Sequence, residues 1–221
     1  NDFVIQGSIT GNGAFTLNGN GDWQTGTLGR SLTVAAGRTL QLSTASVKSF
    51  SSGATLTNNG TLNWTEGGFN FSGSVINNNI FNISASALWQ FSGGLTNSET
   101  INKTAGSTTI STPITNTGSI NMNGGVLTSA NTFTNTGTIT FSGGTWQNNS
   151  TFNHNTGSVI SGTGNFSNSG TFTLNIDQVF PSTLVFSNTN TINGPGLLEI
   201  NHDFIIIGSI TGGPLVINGN A

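Results

Sequence analysis

The stretch Asn135-Thr-Gly-Thr-Ile-Thr-Phe-Ser-Gly-Gly-Thr-Trp-Gln-Asn-Asn-Ser-Thr-Phe-Asn153 decides the reading of the chain. Residues 116–134 carry the same skeleton one step earlier, and residues 155–173 carry it one step later. Taking the apolar residue after each Asn-x-Gly-x tetrad as an anchor gives Leu62, Phe81, Ile101, Ile120, Ile139, Val159, Val179 and Leu198. Successive anchors are separated by roughly 19 to 20 residues throughout, and so regular a period means supersecondary units that stack on one another.

Each unit holds three apolar positions. Seven residues after the anchors stand Phe69, Leu88, Thr108, Leu127, Trp146, Phe166, Phe186 and Ile205; thirteen after stand Val75, Gly94, Ile114, Phe133, Phe152, Phe172, Ile192 and Thr211. The two exceptions in the last series have Leu95 and Ile210 beside them. Side chains alternate around these sites, as in Thr138-Ile139-Thr140-Phe141, which is the pattern of a short strand with one buried face. Three short strands per turn of about twenty residues describe a three-faced coil, and stacked coils make a parallel β-solenoid. The fold expected is all-β, with Phe133, Ile139, Trp146 and Phe152 in its core and right-handed winding from the crossover rule.

The corners carry a second signal. Four residues before the anchors stand Asn58, Asn77, Asn97, Asn116, Asn135, Asn155 and Asn175, with Gly194 in the eighth coil. Asn and Gly accept left-handed backbone angles at low cost, and a stacked row of Asn amides can hydrogen-bond along the axis. The row reads as a structural asparagine ladder rather than a binding strip. Gly60, Gly118, Gly137 and Gly157 mark the next bend.

At 221 residues the chain is long enough for one solenoid of about eleven coils, a rod on the order of 50 Å at ~4.8 Å per coil. Charged residues are 5% of the chain and the net charge is −3, but fifteen Phe and four Trp argue against disorder. Arg30, Arg38, Lys48 and Lys103 are the whole basic complement, too few for a nucleic-acid or anionic-lipid footprint. No apolar run reaches the length of a membrane span. Cysteine is absent, which excludes disulfides and thiolate metal sites. We expect no cofactor and no metal. The chain reads as one domain: irregular, wider coils over 1–53, regular coils over 54–200, and a closing coil over 201–221 that resembles the first. Gly11 to Gly21 and Gly26 to Gly29 look loop-like, and Leu42 is the candidate anchor before Leu62. With neither an initiator Met nor a signal-peptide pattern, Asn1 is expected to be a processed or excised start.

A longer repeat overlies the short one. Asp2-Phe-Val-Ile-Gln-Gly-Ser-Ile-Thr-Gly11 returns as Asp203-Phe-Ile-Ile-Ile-Gly-Ser-Ile-Thr-Gly212, identical at eight of ten positions. Leu17-Asn-Gly-Asn20 returns as Ile217-Asn-Gly-Asn220. The recurrence points to one period of a tandem array, with partners that are copies of the chain or neighbouring blocks stacked end to end.

Candidate chemistry is sparse. Glu199, His202 and Asp203 are the one cluster of ionisable side chains, and an acid–base pair there would suit a glycosidase or lyase. Residues 116–153 carry no charged side chain at all, whereas polysaccharide-cleaving solenoids need several on adjacent coils. We therefore expect no enzyme. Trp23-Gln24, Trp89-Gln90 and Trp146-Gln147 recur at similar places; exposed, they would form a sugar-stacking platform, while Trp146 shares its position with Leu127 and Phe166, which favours the core. Asn63, Asn70, Asn82, Asn102, Asn148, Asn149 and Asn165 head Asn-x-Ser/Thr sequences, which so Asn-rich a chain produces by chance. Around the third apolar series stand Thr132 and Thr134, Thr151 and Asn153, Thr171 and Thr173. Such a grid is a candidate ligand face of the ice-binding kind, although Thr is also simply a good outward strand residue.

The period and the Asn-x-Gly-x-apolar-x-apolar stamp, as in Asn116-Thr-Gly-Ser-Ile-Asn-Met122, resemble the filamentous-haemagglutinin kind of parallel β-helix found in bacterial surface adhesins. The resemblance covers roughly residues 54 to 200 and brings no catalytic residues. It implies an exported, cell-surface stalk or filament. Surface glycans are the possible ligands of such a module.

Overall fold

The computed structural model describes residues 3–11, 13–91 and 93–219. Asn1, Asp2 and Asn220, named above, lie outside them. Among the described residues the chain is all-β without a helix, wound as a parallel solenoid of about eleven turns. Each turn supplies one strand to each of three faces, taken in the order one, two, three. Face one runs from Phe3–Ile5 through Thr61–Trp64 to Ser119–Met122. Face two runs from Gly26–Leu28 through Phe69–Phe71 to Leu184–Asn188. Face three is an 11-stranded parallel sheet from Phe15–Leu17 to Ser209–Ile210. The long strands Thr138–Asn148 and Val159–Asn168 bend around the first corner and belong to faces one and two at once. That bend falls at a register break between Ser142 and Thr145, where Gly143 has φ 137°. Beyond it, face one continues as Gln178–Phe180, Leu198–Ile200 and Leu215–Ile217.

Alternation sets the core. Face three sends one column inward in register: Phe15, Leu32, Leu56, Val75, Leu95, Ile114, Phe133, Phe152, Phe172, Ile192 and Ile210. Each residue packs on its like in the coils above and below, so every rung removes about 1.5–3 kcal/mol worth of apolar surface from water. Aromatic rings from the other faces interleave: Trp146 meets Phe133 edge-on at 4.6 Å, and Phe166 meets Phe152 at 5.3 Å. Phe133, Ile139, Trp146 and Phe152 are all buried, as the alternation predicts.

Where two apolar residues adjoin, the anchor series slips. Ile139 pairs with Ile160, so Ile160 points inward and Val159 is exposed. Val179 is likewise exposed between buried Gln178 and Phe180. On face two the inward residues are Trp89 and Phe204, while Leu88 and Ile205 face out. At the start, Leu62 pairs with Leu40 and not with Leu42, which instead pairs with Trp64. Gly26–Leu28, expected as loop, is a strand paired with Lys48–Phe50. Gly26 is required there, because a Cβ would lie 2.1 Å from the Gly7 carbonyl oxygen.

The corner Asn residues do not work as the backbone argument expects. Among the described residues Thr44 is the one non-glycine with positive φ, so the ladder asparagines are extended strand ends. Their amides do the turning. Asn77 Nδ2 donates to Asn97 Oδ1 at 2.7 Å and to the carbonyl oxygens of Asn79 and Thr100 at 3.0 Å. Gly118 and Gly137 serve close approach between coils: a Cβ on Gly137 would sit 2.0 Å from the Gly118 carbonyl oxygen.

Candidate functional site

The asparagine ladder runs through Asn58, Asn77, Asn97, Asn116 and Asn135, each amide donating to the next at 2.7 Å. All five are buried. It stops there, because Asn135 pairs with His154, and His154 with Leu174. Asn155 and Asn175 therefore lie one residue outside the ladder, where they share a surface bond at 2.7 Å. A second buried ladder takes over at the corner between faces two and three, Asn148 to Asn168 to Asn188, at 2.7 and 2.6 Å. Asn168 heads the same stamp in Asn168-Ser-Gly-Thr-Phe172, while Asn148 and Asn188 lack its Gly, so the signal was only partly present in the sequence.

A third row lies outside face one. Asn82 donates to Asn63, Asn102 to Asn82, and Asn121 to Asn102, at 2.8 to 2.9 Å. Three of these residues head Asn-x-Ser/Thr sequences, yet their amides are spent on rungs. In this row the bonds point toward the chain's start, whereas in both buried ladders they point toward its end. The neighbouring carbonyl oxygens fix the buried direction, since Nδ2 is the atom that can donate to them.

The threonine face is more continuous than the sequence pattern suggests. The outward row of face three is Thr16, Thr33, Thr57, Ile76, Thr96, Thr115, Thr134, Asn153, Thr173 and Asn193, in unbroken register. Thr134 and Thr173 belong to it. Thr151 and Thr171 fall in a flanking row with Thr191. Thr132 precedes its strand, where its amide N–H donates to Asn131 Oδ1 at 2.7 Å. The result is a row of Thr hydroxyl and methyl groups, interrupted at Ile76, Asn153 and Asn193, with rungs about 4.8 Å apart along the axis.

The other candidates are placed elsewhere. Trp23, Trp64, Trp89 and Trp146 are all fully buried, so none of them can be a sugar platform. His202 is held by the backbone at both nitrogens: Nε2 accepts the Phe186 N–H at 2.9 Å, which leaves Nδ1 to donate to the Asp203 carbonyl oxygen at 2.7 Å. Glu199 accepts from Asn218 Nδ2 at 3.1 Å. His202 and Glu199 are thus held by different partners, the backbone and Asn218. Among the described residues no three His, Cys, Asp or Glu gather as a metal site.

Three buried ionisable groups were not foreseen. Lys103 is buried in an inward column between Ile83 and Met122, its ammonium donating to the Ala105 carbonyl oxygen. Desolvation lowers its pKa to about 8. Lys48 is also buried, and desolvation lowers its pKa against the opposing pull of Asp22 and Glu66; its Nζ donates to the carbonyl oxygens of Thr44 at 2.6 Å and Glu66 at 3.2 Å. His154 takes the next place in the asparagine column, with Nδ1 2.7 Å from Ser158 Oγ, and burial lowers its pKa to about 4.

The two end coils share one character. Among the described residues, Phe3–Ile5 pairs only with Gly21–Trp23, and Phe15–Leu17 only with Leu32–Val34. At the other end, Ser209–Ile210 pairs only with Thr191–Asn193, and Leu215–Ile217 only with Leu198–Ile200. Ile9, Phe15, Ile210 and Ile217 are half-buried against the core. Phe3, Val4, Ile205, Ile206, Leu215 and Val216 are exposed. Comparison with family models, curated proteins and solved structures returned no match for the chain.

Proposed function

We propose that this solenoid is the structural repeat segment of an extracellular filament or adhesin stalk, of the filamentous-haemagglutinin kind, whose coils stack end to end. The observation that carries the reading is the recurrence of one segment in the first and last coils, residues 3–11 returning as residues 204–212, with exposed apolar residues in both. A parallel strand edge with an apolar cross-section recruits another strand. Only 5% of the chain is charged, so little repulsion opposes such contact. The role needs no catalysis, cofactor or metal. Light scattering of the purified chain against concentration tests it: mass rising in whole-chain steps supports stacking, and a monomer at every concentration refutes it. Replacing Glu199, His202 and Asp203 together by Ala should leave any glycan turnover unchanged; its loss would assign an enzyme.

The threonine strip favours a second reading, an ice-binding face. Seven of the ten residues in that row are Thr, in continuous register. Thermal hysteresis that disappears when Thr96, Thr115 and Thr134 are replaced by Tyr would establish it. Freezing-point behaviour equal to that of a bland protein would dismiss it.

A further inference from the structure

The ten-residue segment that recurs at both ends does not occupy the same faces at both ends. Near the start, Phe3–Ile5 lies on face one, Ile9 bridges Leu28 on face two, and Phe15–Leu17 lies on face three. In the closing coil the equivalent residues sit one face further on. Ile206 bridges Asn188 on face two, Ser209–Ile210 lies on face three, and Leu215–Ile217 lies on face one. All three strands shift together, so the shift is a rotation of the whole coil by a third of a turn.

Two of the matched pairs keep their in-and-out sense, while buried Ile5 corresponds to exposed Ile206. Val4 and its equivalent Ile205 face out, while Ile9 and Ile210 are both half-buried against the core. Phe204, equivalent to Phe3, lies in the core stacked on Phe186 at 5.5 Å and 10°. Phe3 itself is exposed.

Resting on the end-to-end reading above, we propose that a second copy of this chain seats its first coil on the closing coil, rotated by one face. Two independent conditions select that register. First, the spiral order one, two, three makes face two the next position after Leu215–Ile217. The strand Phe3–Ile5 of the second copy would therefore lie over Phe204–Ile206. Second, that placement sets every strand of the joint on its own sequence equivalent: Phe3 over Phe204, Ile9 over Ile210, Phe15–Leu17 over Leu215–Ile217. Like side chains in register are the arrangement that parallel stacks favour. Phe3 then extends the Phe186–Phe204 stack, and the exposed apolar residues at the joint become covered. Each joint turns the threonine strip to the next side of the rod. Three copies restore the starting orientation, with an axial repeat of roughly 160 Å at ~4.8 Å per coil.

Disulfide trapping reads the register directly, since the chain has no cysteine and neighbouring parallel strands lie within disulfide reach. Three double variants share Val4→Cys and differ in the partner: Ile205→Cys for the rotated joint, Val216→Cys for faces in phase, Ser209→Cys for the remaining orientation. All four positions are exposed, so folding should be retained, and circular dichroism checks it. Mild oxidation at concentrations where the unmodified chain associates should give a ladder of covalent multimers from Val4→Cys/Ile205→Cys, and at least tenfold less from the other two. A further pair, Thr16→Cys/Val216→Cys, should cross-link as well, because it too meets only in the rotated joint. Multimers from either alternative pair, or association without cross-linking in the rotated pairs, would overturn the rotation while leaving stacking intact. A chain that stays monomeric in light scattering would instead remove the end-to-end reading on which the rotation rests.

Discussion

Replacing Asn97 by Ala should destabilise the solenoid far more than replacing an asparagine one face away. Asn97 is fully buried and engages four bonds: its Nδ2 donates to the Glu99 carbonyl oxygen at 3.1 Å, to Asn116 Oδ1 at 2.7 Å and to the Ser119 carbonyl oxygen at 3.2 Å, and its Oδ1 accepts from Asn77 at 2.7 Å. At a net ~1 kcal/mol per bond the loss is about 4 kcal/mol. Alanine offers no replacement partner for Asn116 Oδ1, which is buried beyond the reach of water. Asn82→Ala is the control. It removes two rungs from the outer row, where water reaches the freed groups, and should cost less than about 1 kcal/mol. Asn155→Ala should behave like the control, because Asn155 stands outside the buried ladder. Urea denaturation followed by circular dichroism measures all three under one condition. If Asn97→Ala and Asn82→Ala agree within ~0.5 kcal/mol, the net worth of one weak hydrogen bond, the buried ladder is not what holds the corner.

Two buried bases make stability depend on pH. The pKa of Lys103 is lowered by burial, so the unfolded chain holds the extra proton between about pH 8 and the ordinary 10.5. Stability is then complete above 10.5, falls as the pH drops toward and through about 8, and carries a penalty of up to about 3 kcal/mol at pH 7, less what solvent screening removes. Lys103→Met, which matches neighbouring Ile83 and Met122, should raise the urea midpoint at pH 7 and flatten the alkaline limb; an unchanged midpoint would refute the penalty. For His154 the same sign applies lower on the scale: stability is full above the ordinary 6.5 and is lost as pH falls toward about 4, by about 3 kcal/mol. His154→Asn should abolish that acid loss and extend the asparagine column; denaturation at pH 4.5 and 7 compares the two chains, and an equal acid loss in both would contradict it.

The period, the three apolar columns and the existence of an amide ladder were legible because stacked coils impose one constraint many times over. Phase was less legible wherever adjacent residues are both apolar. Val159-Ile160 and Leu88-Trp89 satisfy a period-two pattern in either sense, and spacing alone chose the wrong member of each pair. The same slip put Asn155 in the ladder, because the turn at Gly157 (φ 93°) adds residues after His154 without adding a strand. The second ladder at Asn148, Asn168 and Asn188 hid behind the assumption that one corner keeps one role. The burial of Lys48 and Lys103 is not legible, since no periodicity rule distinguishes a buried Lys from an exposed one when its ammonium is satisfied by loop carbonyl oxygens. In the first coils Phe15 pairs with Leu32 and Leu32 with Leu56, a short step followed by a long one, so a fixed period could not place Gly26–Leu28.

Electron microscopy of the purified chain across a range of concentrations tests the end-to-end reading most directly. The account predicts rods of constant width whose lengths grow in increments of about 50 Å, one solenoid per step at ~4.8 Å per coil. Isolated rods of a single length at every concentration, or assemblies that grow in width rather than along the axis, would contradict it.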